Sequence, residues 1–485
     1  MSKLEEARVF EQEWKSEVDR RRPVFHLTPT VGWMNDPNGF SRYKDKYHLF
    51  YQYYPYDVKW GPMYWGHAVS DDLIRWERRP VALAPDEPYE SGCYSGTAAQ
   101  SPEYGQVLMY TAHLVDRSGI VTETQCIAYG DGENFRKFPE NPVIRTEQLP
   151  EGMRASDFRD PKIFRDDDTW YALMVCMDED GYGNALLYSS KDLKKWTYVN
   201  TILKSEDALG RMWECPDIFK MEEKTVMLLS AVEMEATRDF VHHNGHEVLY
   251  LVGNYDKEKH EFEPESYGCV DAGLDFYAPQ TVEAPDGRRI MIGWIGSWQN
   301  AVTPKELPFN GMMSVPRELS VRDGRLYQTP VREIENYYTD TVERTAIIGM
   351  KKVMLEDVEG RIADIEMEIR GRDFDTFTIC IAENDRYETV INYDKRDRLL
   401  TFDRIFSGNR KDSLNMRTMP VTAEKELFRL RLILDRYSIE IFADDGAEVM
   451  TSTIFTPLDA DGISFVCDGR AELSVVKHGI RVDQE

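Results

Sequence analysis

The sequence predicts an all-β protein: a five-bladed β-propeller followed by a C-terminal β-sandwich. Three observations point there. Between residues 25 and 319, short runs of Val, Ile, Tyr, Phe and Leu alternate with Gly, Pro, Asp and Asn turns, and long helical patterns are nearly absent. Within that stretch one segment recurs at intervals near sixty residues, which suits a four-stranded blade with elaborated loops. Beyond about residue 340, apolar and polar residues alternate one by one, as they do in strands with one buried face.

The elements follow in chain order. Residues 1–22 read as a charged N-terminal helical segment ending near Arg22-Pro23. The repeat is clearest in Ser70-Asp71-Asp72-Leu73-Ile74-Arg75-Trp76, matched by Ser190-Lys191-Asp192-Leu193-Lys194-Lys195-Trp196. Phe135-Arg136-Lys137-Phe138 and His260-Glu261-Phe262 are weaker copies. The closing aromatics at 76, 138, 196 and 262 lie 62, 58 and 66 residues apart, and each follows an apolar strand. Residues 23–325 therefore have room for five blades. Residues 326–340 read as a linker with a short helix over 330–337, and residues 341–485 as the sandwich. Its stretch 439–455 reads as two strands around Asp444-Asp445-Gly446, and no chemistry is legible in this domain.

Composition narrows the function classes. A chain of 485 residues exceeds one ordinary core, so two domains are expected. With 42% hydrophobic and 12% aromatic residues it is a packed protein. No apolar run approaches the ~18 residues of a membrane span, and the opening residues lack a signal-peptide pattern. The seven cysteines (93, 126, 176, 215, 269, 380, 467) are scattered without CxxC spacing. That pattern suits reduced thiols better than disulfides or zinc, so a cytoplasmic location is expected. The net charge of −27 argues against nucleic acid or an anionic membrane as partner. A phosphorylated ligand would need a local basic patch.

Three acids have unusual neighbours. Asp36 sits in Trp33-Met34-Asn35-Asp36-Pro37-Asn38-Gly39, Asp160 in Phe158-Arg159-Asp160-Pro161, and Glu214 in Trp213-Glu214-Cys215-Pro216-Asp217. Each alone has an ordinary reading, as a turn cap, a salt bridge and an edge-strand surface residue. Trp33, Trp60, Trp65 and Trp294 are individually ordinary core candidates. The repeat brings the acids together: positions 36, 95, 160, 214 and 275 are separated by 59, 65, 54 and 61 residues, one for each blade. Equivalent blades would place them on the innermost strands around one funnel. A two-carboxylate glycosidase needs that convergence. Asp36, held by turn amides, suits an ionised nucleophile. Glu214, between Trp213 and Cys215, suits a proton donor raised by desolvation, and Asp160 beside Arg159 suits gripping hydroxyls. Ser95 with His67 lacks a third partner or an elbow motif for nucleophilic catalysis.

At these residues the sequence resembles glycoside hydrolase family 32, the invertases, sucrose-6-phosphate hydrolases and fructan hydrolases. Asn35-Asp36-Pro37-Asn38-Gly39, Arg159-Asp160-Pro161 and Glu214-Cys215 match the family's three acidic motifs in order. Tyr47-His48-Leu49-Phe50-Tyr51-Gln52, Trp60-Gly61-Pro62-Met63, Trp65-Gly66-His67-Ala68 and Asp275-Phe276-Tyr277-Ala278 look like it too, as does the region of Glu440-Ile441-Phe442. The resemblance implies a propeller followed by a sandwich, and retaining hydrolysis at a fructofuranosyl anomeric carbon. It implies Asp36 as nucleophile, Glu214 as acid/base and Asp160 as transition-state stabiliser. Asn35, Gln52, Trp60, Tyr94, Ser95, Arg159 and Trp294 would line the fructose subsite, with Trp33, Met34, Asp275 and Tyr277 joining the binding surface. Where the family has Phe-Ser-Gly-Ser, this chain has Tyr94-Ser95-Gly96-Thr97, which adds a hydroxyl near the sugar.

The expected partner is a small-molecule sugar: sucrose, sucrose 6-phosphate or a short fructan. No metal and no cofactor is implied, and a homo-oligomer remains open. Lys59 and Arg42 are candidate phosphate contacts. The competing readings are a fructosyltransferase, in which a sugar resolves the fructosyl-enzyme, and a non-catalytic sugar-binding propeller.

Overall fold

The structure, a computed structural model, describes residues 1–14, 21–299, 303–304, 306–409, 411–423 and 426–483. The N-terminal helix covers Lys3–Trp14, and residues 15–20 of the expected helical segment lie outside the described residues. Ala7 and Glu11 are buried against the first sheet, where Val81 N donates to Glu11 at 3.1 Å and Arg8 donates to Val81 O at 2.9 Å.

Among the described residues, five mainly antiparallel sheets succeed one another along the chain, of five, four, four, four and five strands. Their first strands are Gly32–Tyr43, Gly92–Ser101, Met153–Asp166, Met212–Met221 and Tyr277–Glu283. These five pack side by side, first on second through to fifth on first, and so enclose a central funnel. Phe309–Asn310, from the end of the circuit, pairs in parallel with the start of the first strand. At that seam Gly32 has φ +82, and a Cβ there would meet Tyr54 O at 2.2 Å, so only glycine fits.

The sequence repeat has a local cause. Ser70 Oγ accepts from Leu73 N at 2.8 Å and Asp72 accepts from Arg75 N at 2.9 Å. Ser190 and Asp192 do the same for Leu193 and Lys195, at 3.0 and 2.8 Å. Both leucines are left-handed, with φ of 70 and 65. The weaker copies keep only the aspartate: Asp131 accepts from Asn134 N at 2.9 Å and Asp256 from Lys259 N at 3.0 Å. The repeat is thus an Asp-capped turn between the third and fourth strands of a sheet.

The boundary expected at 325/326 falls inside a hairpin. Arg325–Pro330 pairs with Arg317–Arg322 as the outer strand of the fifth sheet, so the propeller runs to Pro330. A 3₁₀ helix, Arg332–Tyr337, follows, and the sandwich begins at Tyr338 rather than 341. Its two six-stranded sheets enclose a core that includes Phe377, Ile391, Leu432, Ile441 and Leu473, all 0 to 1% exposed. Fully burying each such side chain contributes on the order of 1.5–3 kcal/mol. Strands Ser438–Ala443 and Glu448–Thr453 flank the turn at Asp444-Asp445-Gly446.

The two domains meet through buried charge. Arg317 of the propeller lies between Glu440 of the sandwich, at 2.6 Å, and Asp271, at 3.0 Å. His26 joins Asp435 at 3.0 Å and Glu440 at 2.9 Å, and none of these side chains is exposed. No helix among the described residues is long and apolar enough to cross a membrane.

Candidate active site

Each of the five inner strands carries a register shift at the same height. The shifts lie between Met34 and Pro37, Tyr94 and Gly96, Arg159 and Lys162, Glu214 and Asp217, and Tyr277 and Gln280. Within them sit Asp36, Ser95, Asp160, Cys215 and Ala278. Four precede proline and one precedes Gly96. Proline cannot donate to the ladder, and a bulge re-aims the side chain beside it. Asp160, Cys215 and Ala278 are left-handed, with φ of 62, 48 and 51. The fourth and fifth positions of the repeat are therefore 215 and 278, not 214 and 275.

The bulge residues touch one another across the funnel. Ser95 Oγ donates to Asp36 Oδ2 at 2.7 Å, and Asn35 donates to Asp36 Oδ1 at 3.0 Å. Cys215 N donates to Asp160 Oδ2 at 2.9 Å, while its thiol lies 3.6 Å from Asp36 and 3.7 Å from Asp160. The residues just before the bulges make a second tier. Arg159 reaches Glu214 Oε1 at 3.1 Å, and Tyr277 OH donates to Glu214 Oε2 at 2.7 Å. Carboxyls from three sheets thus share one pocket.

Their electrostatics differ. Asp160 is buried, which with the charge of Glu214 raises it to about 7 against the opposing pull of Arg159 and the Cys215 amide. Burial also raises Asp36, and the Glu214 charge adds to this, while Ser95, Asn35 and Cys215 work the other way. The Glu214 side chain keeps 23% exposure, so it faces the space a ligand would occupy.

Aromatic rings shape the wall. Trp33 stacks on Trp298 at 6.0 Å and meets Trp294 edge-on at 6.0 Å. Its indole N–H donates to Asn35 at 2.7 Å. Tyr94 stacks on His113 at 4.1 Å, with Trp60 edge-on at 6.3 Å on the exposed rim. Gln52 is buried and donates to Cys93 O at 3.0 Å, tying the first sheet to the second.

Two expected binding residues lie elsewhere. Met34 is 0% exposed in the core with Phe40 and Tyr51, because it sits on the opposite side of its strand from Asn35. Asp275 is 1% exposed and pairs with Arg404 of the sandwich at 2.6 Å; it is an interface residue. Of the candidate phosphate contacts, Arg42 lies toward the far end of the first inner strand beside Asp45 and Tyr47, away from the acids, while Lys59 is exposed on the loop next to Trp60. Glu123 and Asp157, at 3.5 and 3.2 Å from Arg159, went unrecognised, as did His113, 3.0 Å from Glu123. Glu123 and His113 stand in no motif, and Asp157 directly precedes the Phe158-Arg159-Asp160-Pro161 segment. Cys215 could have been found from the X-Pro pattern it shares with Asp36 and Asp160.

The family model for "Glycosyl hydrolases family 32 N-terminal domain" matches residues 26–330, and "Glycosyl hydrolases family 32 C terminal" matches residues 333–480. The chain belongs to glycoside hydrolase family 32. The family 32 boundaries fall on either side of Val331-Arg332, where the last propeller strand ends. Among family 32 relatives, a sucrose-6-phosphate hydrolase of Zymomonas mobilis is 35% identical, covering 93% of this chain and 90% of the relative. A levanase of Bacillus subtilis is 33% identical over 95% of this chain and 69% of its own. The Bombyx mori GH32 β-fructofuranosidase superposes with a TM-score of 0.85 at 33% identity, covering 99% of this chain and 98% of that one. A variant of that silkworm enzyme has been solved in complex with sucrose.

Proposed function

We propose that this family 32 hydrolase cleaves terminal β-fructofuranosides, sucrose or sucrose 6-phosphate, with retention and through a covalent fructosyl-enzyme. The observation that carries the reading is the meeting of Asp36, Asp160 and Glu214 from three sheets, with Cys215 in contact with the first two. Retaining glycosidases need one carboxylate to attack and one carboxyl to donate. Asp36, partly exposed and held by Ser95 and Asn35, attacks the anomeric carbon of fructose. Glu214, oriented by Tyr277 and Arg159, gives its proton to the leaving oxygen and then activates the water that resolves the intermediate. Asp160, fixed by the Cys215 amide, holds fructose hydroxyls. The names of the relatives support the substrate class. The seven cysteines are all free, which supports action in the cytoplasm.

Stereochemistry tests the mechanism. With methanol as acceptor, a double displacement yields methyl β-fructofuranoside from a β-fructoside, read by carbon NMR at C2 of a glycoside that cannot mutarotate. The methyl α-fructofuranoside as first product would overturn the covalent step and leave a single displacement by the acceptor itself.

A further inference from the structure

Beside Glu214 the funnel opens into a cavity of about 530 Å³ between the third and fourth sheets. A proton donor must face the leaving oxygen, so the leaving sugar lies on this side of the bond if Glu214 is the acid. The walls present three arginines. Arg159 is saturated by Glu123, Asp157 and Glu214. Arg154 and Arg211 are different. Both are exposed, and among the described residues neither forms an ion pair. Arg154 donates to the Glu179 carbonyl at 2.8 Å, and Arg211 lies over the Tyr182 ring at 5.5 Å. Two guanidiniums left without carboxylates are notable in a chain of net charge −27.

A third polar residue borders the same space. His246 lines the cavity, packs edge-on against Tyr277 at 5.4 Å, and buries an Nδ1 that has no partner among the described residues. Burial lowers its pKa, so it adds no positive charge to the cavity. Asp180 and Glu233 also border the cavity, both exposed. They cancel the arginines at long range. Anion selectivity here must come from direct guanidinium contact, which is bidentate and geometric, and not from a diffuse positive field.

We propose that this cavity is the leaving-group subsite and that Arg154 and Arg211 bind a phosphate ester on the leaving sugar. The preferred substrate is then sucrose 6-phosphate, and the inference rests on Glu214 as the proton donor. A phosphomonoester carries about −1.5 to −2 charge at pH 7 and three acceptor oxygens, enough to occupy both forks. Chemistry at the fructosyl carbon is the same for either sugar, so the arginines set specificity and leave the catalytic carboxyls untouched.

The test is kcat/KM for sucrose and sucrose 6-phosphate, side by side, on the parent, Arg154→Ala and Arg211→Ala. The parent should favour the phosphorylated sugar by tenfold or more. Each variant should lower the ratio of the two kcat/KM values by tenfold or more, mainly through KM for the phosphorylated sugar. Glucose 6-phosphate should inhibit sucrose cleavage competitively in the parent and much more weakly in Arg211→Ala. A parent that cleaves both sugars equally, or variants that lose both activities together, would overturn the phosphate subsite. A parent inert on both sugars would instead sink the β-fructofuranosidase reading.

Discussion

Asp36 shows how single residues set the chemistry. Its carboxyl is raised by burial and by the charge of Glu214, and Ser95 Oγ, 2.7 Å away, opposes both. A hydrogen bond to a charged group is worth about 1.5–3 kcal/mol. Ser95→Ala should therefore lower kcat/KM for sucrose by roughly 10- to 100-fold, mostly in kcat; a change confined to KM would make Ser95 a ground-state contact only. Glu214→Gln tests the coupling between carboxyls. It removes a negative charge that raises both Asp36 and Asp160. On a fructoside with a good leaving group, which needs no proton donor, the acid limb of kcat/KM should move to lower pH. An unmoved limb would mean that the carboxyls titrate independently. At this scale the three acids were legible in the sequence because each stands in a recognisable motif. Glu123 and His113 were not, because only folding brings them to Arg159 and Tyr94, and Asp157, two residues before Arg159, carries no signal of its own.

The inner strand with its bulge is the unit that repeats. Four of the five bulge residues precede proline, and three hold φ values of 48 to 62. Left-handed backbone is costly for a β-branched residue, at about 1–3 kcal/mol. Ala278 has φ 51 and is 0% exposed. Ala278→Val should lower Tm and also reduce kcat by shifting Tyr277 off Glu214. Parent-like values of both would show that this strand does not need its bulge. The near-sixty-residue spacing put the fourth and fifth positions at 214 and 275, one and three residues early. Loops within each blade vary in length, so a spacing from blade to blade drifts. The X-Pro step inside the strand does not, because the missing N–H acts where the bulge forms.

At the scale of the molecule, the seam between propeller and sandwich is a buried ionic network. Burial alone would lower His26, but Asp435 and Glu440 raise it to about 9, and both carboxylates are lowered in turn. The signs give the pH window. A raised histidine stabilises fully below its unfolded value near 6.5 and loses that contribution as pH rises through about 9. The lowered carboxylates stabilise above their ordinary values and lose that contribution as pH falls through the shifted ones. Between pH 6 and 9.5 the parent should lose more Tm than His26→Gln. Equal losses would assign the alkaline limb to other groups.

The sequence alone determined the all-β class, the near-sixty-residue repeat, the alternation of the sandwich and the three acidic motifs. These are local properties: a turn needs its aspartate, a strand its period of two, a bulge its proline. Tertiary structure decided the rest. It placed Tyr277 and Arg159 on the two oxygens of Glu214, turned Met34 into the core, and gave Asp275 to Arg404 of the other domain. Among the described residues it also left Arg154 and Arg211 without carboxylates beside Glu214. Such pairings join residues far apart in the chain, and their energies exist only once the sheets have packed; no pattern of neighbours along the sequence can encode them.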